Sequence, residues 1–326
     1  MNVLVTGGAG YIGAHLVKLL VERNDTVVVA DDFATGSAAR IGGIPIFKLN
    51  LSSDGAPLEI AAALREHRID TVVHFAARKQ VGESVARPAW YYRENLGGLA
   101  NVLLAMEQEN VRHLVFSSSA SVYAASDLPL EEDSVTGPQN PYGETKLVGE
   151  WLVKDATVAW GLDAVNLRYF NVAGAGSPEL GDTAALNLVP MVLKKLDDGE
   201  APVVFGDDYA TPDGTCVRDY VHVQDVAEAH LAAMDGRETL GTGHHLFNIG
   251  TGTGASVREI IDAVMGVAGV DIAPVIAARR AGDPATVVAS VERIREKLGW
   301  VARFGLDDII TSAWNSHEYF KKAGRP

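Results

Sequence analysis

Residues 6–13 read Thr6-Gly7-Gly8-Ala9-Gly10-Tyr11-Ile12-Gly13, placed between the apolar run Val3-Leu4-Val5 and a helical pattern starting at Ala14. Glycines 7, 10 and 13 recur every third residue at the point where a buried strand passes into a helix. Without a Cβ, such a turn can be tight enough to let backbone approach a pyrophosphate, which then sits at the positive end of the helix. A glycine-rich turn alone is weak evidence, and its place between a strand and a helix is what gives it weight.

The rest of the first half keeps the same rhythm. Thr26–Val29, Thr71–Phe75 and Leu114–Phe116 are short runs rich in β-branched and apolar residues, of the kind buried on both faces, and Leu162–Leu167 reads as a further buried strand. Between them lie helical spacings such as Leu16, Leu19 and Leu20, or Leu99, Leu103 and Met106. Alternation of this kind predicts βαβ units in a Rossmann-type, doubly wound parallel sheet. Beyond Gly174 the rhythm changes. Gly, Pro and Asp gather at 174–182 and 205–214, which predicts a smaller, less regular α/β C-terminal lobe. Val217–His222 and Leu246–Ile249 read as strands that return to the first lobe. The expected division is therefore residues 1–171, with returning segments near 217–223 and 246–250, and a second lobe over 172–326.

The acidic pair Asp31-Asp32 closes the second run, and Asp31 stands 18 residues after Gly13. About 20 is the spacing of the carboxylate that binds a ribose in dinucleotide sites. Both carboxylates repel a 2′-phosphate and no Arg follows directly, so NAD is favoured over NADP. Composition narrows the partners. A net charge of −14 disfavours nucleic acid and anionic membranes. The single cysteine, Cys216, excludes an internal disulfide framework and a Cys-based metal site. The start has no basic n-region or cleavable apolar segment, and no apolar run approaches about 18 residues. A cytoplasmic enzyme is the expectation. None of the nine histidines has metal-ligand spacing with a carboxylate, so no metal is expected.

Pro141-Tyr142-Gly143-Glu144-Thr145-Lys146 opens an amphipathic helix on which Tyr142 and Lys146, four apart, share a face. Ser117-Ser118-Ser119 follows the strand ending at Phe116, at the sheet edge where such folds bind ligands. Tyr142, Lys146 and Ser119 together suit alcohol–ketone chemistry. A free Tyr titrates near about 10, so it must be shifted down by roughly 3 units to act as a base near neutrality. A nearby ammonium and a positive nicotinamide ring favour the phenolate.

These features, with His74–Ala77, Val81–Val85, Phe116–Tyr123, Leu167–Asn171, Phe205–Tyr209 and Val217–Val223, resemble the extended short-chain dehydrogenase/reductases, and within them the UDP-glucose 4-epimerases. The resemblance covers essentially the whole chain. It implies that Tyr142 takes the proton from the sugar 4-OH while NAD takes the C4 hydride, that Ser119 shares the same oxygen, and that Lys146 holds the ribose hydroxyls. The implied NAD contacts are Gly7, Gly10, Tyr11, Ile12, Gly13, Asp31, Asp32, Asn50, Leu51, Phe75, Ala76, Ala77, Lys79, Asn95, Tyr142, Lys146 and Phe170. For the UDP-sugar they are Lys79, Ser119, Tyr142, Asn171, Asn187, Val203, Phe205, Arg218, Arg280, Asp283 and Val287. Phe170 also reads as core, and each of the two arginines as half of a surface ion pair. The resemblance further implies a homodimer formed through the helices around 95–108 and 142–160.

The chain departs from the family pattern at two places. Asn50 stands where an acidic residue usually meets the adenine amine; its amide oxygen can still accept that bond. Val287 falls where relatives place Tyr or Cys, and a small side chain there leaves room for an N-acetyl group. Related 4,6-dehydratases need an acid–base pair at the positions of Ala120 and Ser121, and decarboxylating relatives carry Glu at Ser121. Two alternatives stay open: a UDP-glucuronate 4-epimerase, and a non-catalytic NAD-binding sensor, which the intact Tyr142–Lys146 pair disfavours.

Overall fold

A computed structural model describes residues 1–126, 128–280 and 282–324. Its main sheet has seven strands, in the order His244–Ile249, Asp163–Tyr169, His113–Ser119, Thr71–His74, Asn2–Thr6, Thr26–Asp31 and Ile46–Lys48. Every neighbouring pair is parallel. Consecutive residues feed opposite layers. Val3, Val5, Val27, Val29, Val73 and Val115 pack with the helices Tyr11–Glu22 and Val223–Asp235. Leu4, Val28, Val72, Leu114 and Phe116 pack on the other face with Ala56–Glu66 and Gly98–Gln108. Two buried faces are why these strands read as unbroken apolar runs rather than as alternation. The strand order reverses between Asn2–Thr6 and Thr71–His74, the place where doubly wound sheets open a crevice.

One topological expectation is corrected. Leu246–Ile249 does join the main sheet, within His244–Ile249, but Val217–His222 does not. The edge beside Asp163–Tyr169 is filled over six residues by His244–Ile249. Val217–His222 instead pairs with Asn171–Ala173, Gly254–Ser256 and Thr286–Val287 in a second sheet. The helix that follows it, Val223–Asp235, packs back on the first layer together with Val221 of the strand. Periodicity reveals a buried strand but not which edge it pairs with. A third, two-stranded sheet joins Val203–Phe205 to Val275–Ala277. Among the described residues no helix is long and apolar enough to cross a membrane.

Candidate active site

A cleft of about 1040 Å³ opens at the C-terminal ends of the main strands, beside the reversal of strand order. Its floor is the glycine-rich turn, and each glycine there has its own reason. A Cβ on Gly13 would lie 2.4 Å from the Gly7 carbonyl oxygen. Gly7 has φ +70° and stands against the backbone of Ala76, where a Cβ would come within 2.7 Å of the Ala76 nitrogen. Gly10 is different. A Cβ there would approach only the Gly7 oxygen, at 3.2 Å, and would project into the cradle. Gly10 also precedes the helix Tyr11–Glu22 without any side-chain cap, so the first-turn N–H groups of Tyr11, Ile12 and Gly13 stay available on the cleft wall. An uncapped helix N-terminus behind an open glycine fits a dinucleotide pyrophosphate.

Asp31, at the end of the second strand, is buried. It accepts hydrogen bonds from the N–H groups of Ala9 (3.0 Å) and Phe33 (2.8 Å), while burial raises its pKa above the usual carboxylate value. Asp32 beside it meets an arginine that adjacency in sequence did not reveal: Arg78, whose Nη2 lies 2.5 Å from Asp32 Oδ2 and 2.8 Å from Glu94 Oε2. The absence of an Arg directly after the aspartates therefore did not mean absence from this end of the cleft. Arg78 is already engaged by two carboxylates, which removes it as a ready partner for a 2′-phosphate and keeps the preference for NAD.

The structure brings most of the expected cofactor residues onto one wall. Gly7, Gly10, Tyr11, Ile12, Gly13, Asp31, Asp32, Asn50, Leu51, Phe75, Ala76, Ala77, Lys79, Asn95, Tyr142 and Lys146 all line the cleft. Two of them have other commitments. Tyr11 donates its hydroxyl to the Gly174 carbonyl (2.6 Å). Asn50 Oδ1 already accepts from the Ser52 N–H (2.9 Å), so the turn that follows draws on the oxygen an adenine amine would need. Phe170 is placed elsewhere: it is buried with Val122, Tyr123, Leu130, Leu147 and Ala289, while Tyr169 faces the cleft. Adjacent extended residues point to opposite sides, so only one of the pair can line the wall. Beyond the expected set, Thr35, Gly36, Arg78, Glu94, Ser117 and Tyr169 also line it. The signal for Arg78 and Glu94 was available, since each precedes an expected contact, Lys79 and Asn95. Titratable lining residues balance, with Arg78, Lys79 and Lys146 against Asp31, Asp32 and Glu94, in a chain of net charge −14.

Asn95 is positioned by a change of helical pitch. The helical segment from Pro88 runs through a single π-helical stretch, Arg93–Gly97, before continuing as Gly98–Gln108. From it the Asn95 amide accepts from the Arg78 N–H (2.7 Å) and donates to the Thr145 hydroxyl (3.0 Å), tying the cleft to the helix that carries Tyr142 and Lys146.

That helix, Pro141–Trp160, starts at Asn140, whose side chain accepts from the Gly143 N–H (3.0 Å), with Pro141 in its first turn. Lys146 is buried and donates to the Ser117 carbonyl (2.7 Å), with its Nζ 6.0 Å from the centre of the Tyr142 ring. Burial pushes the Lys146 ammonium down to about 7, with Glu150 one turn on opposing the shift. Burial likewise raises the Tyr142 phenol, partly offset by its hydrogen bond with Ser119. The polypeptide alone thus moves Tyr142 in the opposite direction to the expected one. An ammonium that is itself easily deprotonated and is turned towards a carbonyl does not outweigh desolvation. Ser119 also caps the short turn Ala120–Val122, accepting from the Ser121 N–H (3.2 Å), and the residues that follow the strand end, Ala120 and Ser121, carry no carboxylate.

Apart from Lys79, Ser119 and Tyr142, the expected sugar-nucleotide residues fall into small groups outside the main sheet. Arg218 pairs with Asp283 (2.5 Å), and Val287 is its neighbour across the strand ladder. The Arg280 guanidinium stacks 3.9 Å from the Phe205 ring centre, at the end of the strand that starts with Val203. Asn171 is exposed at the start of its strand, next to Tyr220 across the ladder. Asn187 precedes the helix Leu188–Asp197 and donates to Asp182 (3.1 Å).

Residues 3–250 match the NAD dependent epimerase/dehydratase family. A UDP-glucose 4-epimerase of Halalkalibacterium halodurans is 41% identical over 324 residues, 98% of this chain and 96% of that protein. Another, of Azospirillum brasilense, is 43% identical over 96% of this chain and 90% of its own length. Among solved structures, a UDP-glucose-4-epimerase from Stenotrophomonas maltophila, with bound NAD and formylated UDP-arabinopyranose, superposes with a TM-score of 0.93 at 40% identity, covering 99% of this chain and all of that one.

Proposed function

Because this chain belongs to the NAD dependent epimerase/dehydratase family, we propose that it interconverts UDP-glucose and UDP-galactose by epimerisation at C4 through a 4-keto intermediate. The observation that carries the reading is the convergence of Tyr142, Lys146 and the Ser119 hydroxyl beside a glycine cradle suited to NAD. NAD+, when bound, would supply a reversible hydride acceptor for C4 and a positive ring that favours the phenolate the polypeptide alone does not. Tyr142 takes the 4-OH proton as the hydride leaves. Ser119 hydrogen-bonds the same oxygen, and Lys146 steadies the ribose. The 4-keto sugar turns over in the cleft, receives hydride on its other face and recovers its proton from Tyr142. Gly7, Gly10, Gly13 and the adjoining amides hold the pyrophosphate of NAD, and Asp31 the adenosine ribose. Arg218 and Arg280 hold that of UDP, the former leaving Asp283 for a phosphate.

The test is direct. Purified protein incubated with UDP-galactose, without added cofactor, is expected to yield UDP-glucose; no conversion with or without NAD rules the reading out. We further expect turnover of UDP-GlcNAc, because Val287 occupies only a modest volume beside Arg218. Its kcat/KM should lie within about tenfold of that for UDP-glucose, a spread typical of pocket-size discrimination. Undetectable turnover of UDP-GlcNAc removes the Val287 argument, and preferential turnover of UDP-glucuronate replaces the proposed substrate.

A homodimer is part of the same proposal. Leu104, Trp151 and Val158 are exposed on the helices Gly98–Gln108 and Pro141–Trp160, which pack on each other. Trp151 and Val158 lie seven apart and share a face. Trp151→Glu should convert the dimer to a monomer in sedimentation velocity; a wild-type monomer rules the dimer out. The lone buried Cys216 needs no oxidising compartment, which supports a cytoplasmic enzyme.

A further inference from the structure

Arg78 has no role in the chemistry above, yet it makes the densest set of polar contacts at the adenosine end of the cleft. Its backbone is clipped on both sides by Asn95, which accepts from the Arg78 N–H (2.7 Å) and donates to the Arg78 carbonyl (3.1 Å). Its guanidinium then reaches across to Asp32 Oδ2 (2.5 Å) and back to Glu94 Oε2 through Nε (3.1 Å) and Nη2 (2.8 Å). Glu94 uses its other oxygen to accept from the Ser52 hydroxyl (2.8 Å), and the Ser52 N–H is tied to Asn50 Oδ1 (2.9 Å). One cation thus links the end of the second strand, the π-helical stretch and the loop after the third strand, and Asp32, Asn50, Arg78 and Glu94 all line the cleft.

The contacts are of a kind that carries energy. The side chains are only 20% (Arg78), 29% (Asp32) and 10% (Glu94) exposed, so solvent screens them less than a surface pair. Trp90 lies beneath the guanidinium, 5.3 Å from ring centre to carbon, and limits its freedom to swing away. The adenosine half of a dinucleotide lies between these walls, because the ribose-binding carboxylate follows the second strand. For that half to leave, the walls joined by Arg78 must part.

We propose that Arg78 is a latch: by clasping Asp32 and Glu94 it holds the adenosine end of the cleft closed and slows the release of NAD. The latch rests on the NAD-dependent reading above. It is a positioning device that acts through the walls and leaves proton and hydride transfer to other residues. Its consequence is an enzyme that keeps its cofactor through many turnovers, which suits a reaction that regenerates NAD each time.

The experiment compares wild type with Arg78→Met, which retains an apolar stem over Trp90, and with Glu94→Gln, which keeps the shape and removes one charge. Protein loaded with NAD and freed of excess is mixed with an NAD-dependent dehydrogenase and its alcohol substrate, and released NAD is followed as NADH. Release from Arg78→Met is expected to be about tenfold faster, as for loss of a half-buried charge network, with Glu94→Gln intermediate. The apparent KM for NAD should rise while kcat at saturating NAD holds. Wild-type release should quicken with salt more steeply than release from Arg78→Met. Equal release rates overturn the latch, as does a fall in kcat at saturating NAD that matches the change in release. A wild type that binds no NAD overturns the functional reading along with it.

Discussion

Tyr142→Phe should lose about 10²–10⁴-fold in kcat for UDP-galactose turnover while keeping its NAD content, the scale of a lost general acid–base group. The substitution removes one oxygen from a helix whose start is set by Asn140 and Pro141, so the fold has no reason to change. It takes away the phenol that shares a hydrogen bond with Ser119, and with it the group proposed to accept the 4-OH proton and give it back. The two measurements separate chemistry from binding: a coupled assay for UDP-glucose gives kcat, and acid release of nucleotide gives bound NAD. Full activity in the variant excludes Tyr142 as the base. Loss of NAD together with activity would instead assign Tyr142 to the cofactor cradle.

The second large effect lies beneath the active site. Glu150 and Arg168 form an ion pair in which both side chains are 4% exposed, with Arg168 Nη2 2.6 Å and Nε 2.8 Å from the carboxylate. Ser118 donates to the same carboxylate, at 2.5 Å, and Arg168 Nη1 reaches the Glu132 carbonyl (3.0 Å). The pair therefore joins the catalytic helix to the strands on which Ser118 and Arg168 stand. Arg168→Met should cost about 3–5 kcal/mol in unfolding free energy, because it strands Glu150 uncompensated in the interior. Adding Glu150→Leu should recover most of that loss, since an apolar pair of similar volume avoids the desolvation penalty. Denaturant unfolding of the single and double variants checks both statements. A single variant as stable as wild type overturns the claim that Arg168 is needed to offset the buried Glu150 charge.

What could be read directly from residue order was local. The turn over Gly7–Gly13, the four-residue offset of Tyr142 and Lys146, and the strands buried on both faces depend on stereochemistry within a few residues. Non-local pairing was less visible. Val217–His222 has the composition of a buried strand whichever sheet it joins, and only the filled edge beside Asp163–Tyr169 sends it to the second sheet. Phe170 and Tyr169 are equally aromatic, and the strand's pleat decides which one faces the cleft. Asn50 carries the acceptor an adenine amine needs, but the turn that follows already engages it.

Electrostatics divides in the same way. Residue order alone established an acidic chain with a glycine cradle, an acidic pair at ribose spacing and a Tyr–Lys pair on one helical face, because each is a matter of chemical type and short-range geometry. Only the tertiary structure decided that Arg78, 46 residues beyond Asp32, closes against it, and that burial moves Tyr142 up and Lys146 down. Charge–charge energies depend on distance and on the polarity of the surroundings. Neither exists along a chain until distant segments have packed, so the cradle was readable before folding and the latch and the titration of the site were not.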